Sequence, residues 1–107
     1  MLDRSIIESV KRYLRTLIDY GLTPSFGVVF GSHVSGGVHE WSDIDLMVVA
    51  DRYDQQYQHD DVALLWKVAG RVDPRIEPIP CGERQWEEDD GTPIIEIARR
   101  EGEIVYT

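Results

Sequence analysis

The run Leu46-Met47-Val48-Val49 is apolar at every position. Successive side chains of a strand point to opposite faces, so a strand without alternation must be covered on both sides. The strand expected from Asp43 to Ala50 therefore calls for helical layers above and below it, an α/β arrangement. It opens with Asp43-Ile44-Asp45. Residues i and i+2 share a face, so the two carboxylates project side by side while Ile44 and Leu46 point the other way. Adjacent carboxylates repel, and one pKa rises unless a cation lies between them. Mg²⁺, a hard ion that takes oxygen ligands and keeps positions for water and phosphate, suits such a pair. Both acids belong at an open end of the sheet, where apolar burial gives out.

Upstream, Ser25-Phe26-Gly27-Val28-Val29-Phe30 is rich in β-branched and aromatic residues and predicts a preceding strand. Gly27 inside it marks either a bulge or a close neighbour. The strand stops at Gly31-Ser32, and a glycine-containing connection, including Gly36 and Gly37, leads to Asp43. Backbone N–H groups at such a turn can approach a phosphate closely, and the Ser32 hydroxyl adds a donor. A Walker-type loop is excluded, because no Gly-Lys-Ser/Thr follows.

Elsewhere, Leu2, Ile6, Val10, Leu14, Leu17 and Ile18 recur at helical spacing, with Asp3 or Ser5 as cap and Gly21 at the end. Arg4, Glu8, Lys11, Arg12 and Arg15 form its solvated face. Residues 51–60 are polar and unpatterned and read as a loop. A second helix runs from Asp61 to about Gly70, its apolar stripe drawn through Val62, Leu65, Trp66 and Ala69, with Trp66 in the core. Val72 to Pro80 contains three prolines; it reads as extended chain at a sheet edge. Asp73, directly before Pro74, reads as a turn residue. Residues 82–91 read as an acidic loop. A helix then opens at Thr92-Pro93, carries Ile94, Ile97 and Ala98, and closes at Gly102, before a possible last strand at Ile104-Val105-Tyr106.

The 107 residues fit one domain, 1–107, and the net charge of −9 argues against a DNA groove lined by Lys and Arg. An acidic surface suits a basic protein partner. Cys81 is the lone cysteine, which allows no internal disulfide, and no stretch resembles a leader or membrane span, so a cytoplasmic setting is expected. His33, His39 and His59 share no ligand spacing with each other or with Cys81, which disfavours zinc.

Gly31-Ser32, ten intervening residues and then Asp43-Ile44-Asp45 at the head of a strand resemble the nucleotidyltransferases of the DNA polymerase β superfamily, and most of all the minimal nucleotidyltransferases (MNT). The resemblance implies a small mixed sheet flanked by helices. It also implies a third carboxylate on a strand beside the Asp-x-Asp strand, and Glu77, between Ile76 and Ile79, stands in that place. Asp43, Asp45 and Glu77 would then hold two Mg²⁺ ions, and Gly31 and Ser32 the phosphates of a nucleoside triphosphate, ATP in the first instance. Where many members read Gly-Ser-x-Ala-Arg-Gly, this chain reads Gly31-Ser32-His33-Val34-Ser35-Gly36. Stand-alone MNT proteins of this size typically pair with a HEPN-family toxin, and some silence it by attaching AMP to a tyrosine. Such an antitoxin is the expected function. Two alternatives stay open: a non-catalytic antitoxin that masks its partner, and a nucleotidyltransferase acting on a small hydroxyl compound or RNA.

Overall fold

The computed structural model describes residues 2–31, 42–55 and 59–107. Helix α1 spans Arg4–Asp19, and the Asp3 carboxylate accepts the Ser5 N–H at 2.8 Å as its N-cap. Its buried stripe is Ile6, Val10, Tyr13, Leu14 and Leu17, whereas Ile18 lies exposed beside it. Strands β1 (Phe26–Phe30) and β2 (Ile44–Val49) follow, then a 3₁₀ turn at Asp51–Asp54. Helix α2 covers His59–Val72, β3 Ile76–Cys81, α3 Glu83–Glu88, α4 Pro93–Glu101 and β4 Glu103–Val105.

Among the described residues the sheet has the order β3-β2-β1-β4. β1 is antiparallel to β2 and β4, and β2 is parallel to β3. This is the small mixed sheet flanked by helices that the sequence predicts. β2 is central, and its alternation divides the core. Ile44, Leu46 and Val48 join the apolar residues of α1 and α2 on one face. Met47 and Val49 join Val28, Phe30, Cys81, Ile95 and Ala98 on the other, under α3 and α4. The double coverage demanded by the unbroken apolar run is thus met. Gly27 is no bulge, since β1 pairs with β2 without interruption. It makes room instead: a Cβ there would lie 3.0 Å from Leu46 Cδ1 and 3.2 Å from Leu14 Cδ1.

Four expectations need correction. Trp66 is 50% exposed, because the α2 stripe runs through Leu65, Val68 and Ala69 and puts Trp66 roughly 100° away. On α4 the buried residues are Ile95 and Ala98, with Ile94 and Ile97 exposed. Residues 83–88 of the acidic stretch are helical rather than loop. The cause is a distant cap: the Asp54 carboxylate accepts the backbone N–H groups of Arg84 and Gln85 at 3.0–3.3 Å, while Gln85 Oε1 accepts the Gly82 N–H. α2 also begins earlier than expected, at His59.

Candidate active site

The parallel register of β2 and β3 sets Asp45 directly opposite Glu77. Side chains opposite one another in a parallel pair lie on the same face, and Asp45 shares its face with Met47 and Val49, the α3/α4 side. Asp43, exposed and immediately before β2, joins them: Glu77 is hydrogen-bonded to both Asp43 and Asp45. Burial is the first cause that holds the Glu77 carboxyl above its ordinary pKa, followed by the charges of Asp43 and Asp45 and those hydrogen bonds. The group thus takes up a proton more readily than a free glutamate.

β1 delivers the next element. Phe30 pairs with Asp45, and Gly31 follows at φ +82°, a conformation that L side chains rarely adopt. A Cβ on Gly31 would overlap the Asp45 carboxylate, so the bare backbone of the turn lies against one of the site's acids. Ser32, the other expected phosphate contact, falls with the rest of 32–41 outside the described residues.

Asp73 is elsewhere. It lies in the turn between α2 and β3, where the Ile76 N–H meets its carbonyl at 3.0 Å, and its side chain binds Arg75 rather than the acids. Hydrogen bonds from Arg75 hold its carboxyl below the usual range, against the opposing effect of burial. His59 is exposed at the start of α2. Cys81 is buried and its thiol is pushed up to about 12, chiefly by burial, which keeps it protonated and unreactive. Sequence reasoning missed Arg75; its signal is the Asp73-Pro74-Arg75 spacing, which lets a side chain reach back over a turn.

The oxygen donors that meet at Glu77 are of the kind a hard cation prefers. Among the described residues no group of three or more acids, histidines or cysteines is placed to hold a metal ion. Asp43 and Asp45 both act on Glu77, and Asp45 lies against the Gly31 turn.

An α/β sheet with carboxylates at the open head of a buried strand, beside a glycine turn, defines a class of phosphate-transfer domain. The sequence matches the nucleotidyltransferase domain family over residues 7–99, and the chain belongs to that family. Its general reaction is transfer of a nucleoside monophosphate from a nucleoside triphosphate. No curated protein matches the chain. No helix among the described residues is long and apolar enough to cross a membrane.

Proposed function

We propose that this domain transfers AMP from ATP, with Mg²⁺, to a tyrosine hydroxyl of a HEPN-family toxin and so acts as its antitoxin. The observation that carries the reading is the Asp45–Glu77 register, which puts Glu77 against both acids of the Asp-x-Asp pair. Asp43, Asp45 and Glu77 would hold two Mg²⁺ ions, which when bound neutralise phosphate charge and acidify an acceptor hydroxyl. The residues themselves orient the reactants. Gly31 leaves room for a triphosphate oxygen to approach the backbone, Ser32 adds a hydroxyl donor, and an Asp–Glu carboxylate accepts the proton of the attacking hydroxyl. That hydroxyl bonds to the α-phosphorus as the bond to the pyrophosphate oxygen breaks, in line. The net charge of −9 suits a basic protein surface as acceptor.

The test is incubation of the purified protein with α-labelled ATP, Mg²⁺ and a HEPN-family protein that it binds. Label on a tyrosine of the partner is expected. Binding and silencing without label would favour the masking antitoxin, and transfer to RNA or a small hydroxyl compound alone would favour the third reading.

A further inference from the structure

The site depends on β3 being in one particular register, and two devices select it. Within β2, the Ile44 N–H donates to the Arg75 carbonyl at 2.8 Å, and the Ala50 N–H, just past the strand, to the Cys81 carbonyl at 3.0 Å. Odd-numbered backbone groups of β3 therefore face β2, and even-numbered ones face the free edge. Pro78 and Pro80 fall on that edge, where a missing N–H costs no ladder bond, and the Ile76 N–H is used by Asp73. A slip of one residue would turn both prolines inward and send Glu77 to the opposite face. The prolines thereby exclude odd slips. They do not exclude a slip of two, which preserves every face and sets Arg75 or Ile79 opposite Asp45.

We infer that Asp73 and Arg75 are positioning residues that exclude the even slip and so hold Glu77 opposite Asp45, a role that rests on the catalytic reading of Glu77 given above. The Asp73 carboxylate accepts the Arg75 backbone N–H at 3.1 Å, Arg75 Nε at 3.1 Å and Nη2 at 2.8 Å. Its backbone N–H reaches the Ala69 carbonyl at 2.9 Å, in the last turns of α2, and its side chain also bonds Ser9 of α1. Asp73 is itself buried. Asp73 is thus tied to both helices of its layer, to α2 by its backbone N–H and to α1 by its carboxylate, and the same carboxylate holds Arg75, the residue just before β3. A slip of two residues shifts β3 by roughly 6–7 Å, which cannot occur with this turn intact. Removing the Arg75 guanidinium takes the cation away from the buried Asp73 carboxylate, and Asp73→Asn weakens the bonds which that carboxylate accepts; either change drives the turn to rearrange.

The test compares wild type with Asp73→Asn and Arg75→Gln at a temperature where each is folded. Interstrand NOEs between labelled β2 and β3 report register without reference to activity. Mn²⁺ added alone reports which β3 residue lies at the acids. Wild type should show the Asp45–Glu77 pairing and selective Mn²⁺ broadening of both residues. The variants should lose most of the Asp45–Glu77 NOE intensity, gain contacts from Asp45 to Arg75 or Ile79, and show Mn²⁺ broadening moved with them. In the transfer assay turnover should fall tenfold or more, with the ATP KM within about threefold. Arg12→Ala removes a bond to the Val72 carbonyl just outside the clamp; it should lower the melting temperature and leave turnover unchanged. Wild-type NOEs in both variants would overturn the inference. Wild-type protein that ignores Mn²⁺ would count against the catalytic reading alone, because the NOE comparison still decides the register. Should Asp73→Asn fail to fold, Arg75→Gln decides, since Asp73 then keeps the backbone N–H.

Discussion

At the scale of single residues, Glu77 carries a sign that can be measured. Its pKa in the folded chain lies above that of an ordinary glutamate, so the folded state binds its proton more tightly than the unfolded state does. The stability linked to this is fully present below the unfolded pKa and is lost as pH rises through the folded one. Metal-free protein should therefore lose melting temperature over that window, and Glu77→Gln should flatten the loss, as read by thermal denaturation at a series of pH values. A variant with the wild-type pH profile would refute the carboxylate crowding. Gly31 makes a second prediction. With φ at +82° and the Asp45 carboxylate where a Cβ would lie, Gly31→Val incurs backbone strain of about 1–3 kcal/mol and displaces an acid of the site. Both the melting temperature and calorimetric ATP affinity should drop.

At the scale of elements, α3 illustrates a helix made by a residue far away in sequence. Six residues are too few for a helix to persist alone, since nucleation is unfavourable. The Asp54 carboxylate at its first N–H groups and Trp86 edge-on to Phe26, ring centroids 5.8 Å apart, hold it. Asp54→Ala should cost about 1 kcal/mol, the usual worth of a cap, and show in urea unfolding as a lower midpoint with unchanged slope. The β3 edge makes the complementary prediction. Replacing Pro78 and Pro80 by alanine adds two outward N–H donors to a strand edge, and concentration-dependent association in sedimentation should be stronger than in the parent.

For the whole molecule, the balance lies between two thin apolar cores and a charge of −9. Self-repulsion of that size weakens a compact state and is relieved by any salt. A specific cation acts differently. At a hundred times its dissociation constant it adds about 2.7 kcal/mol by mass action, and it requires the acids. Mg²⁺ should raise the melting temperature beyond an NaCl control of equal ionic strength, and Asp43→Asn or Asp45→Asn should abolish the excess while leaving the NaCl response intact. An equal Mg²⁺ excess in all three proteins would exclude those aspartates as ligands.

Much of this was legible in the chain. The unbroken run Leu46–Val49 required cover on both faces, the i, i+2 spacing put Asp43 and Asp45 together, and Gly31 ended β1 where a backbone turn was needed, because periodicity and local φ are properties of a few consecutive residues. The prolines of β3 placed it at an edge for the same reason. What local pattern could not supply was rotation and register. Trp66 and Ile97 are apolar at plausible helical spacing yet face outward, since the burial direction of a helix is chosen by the sheet beneath it. α3 exists through Asp54, about thirty residues away in sequence. Glu77 meets Asp45 only through a pairing of strands separated by the whole of α2. The prolines inside β3 mark which of its edges can face β2, but not by how many pairs of residues it is offset; that is left to the turn before it, closed here by Asp73 and Arg75.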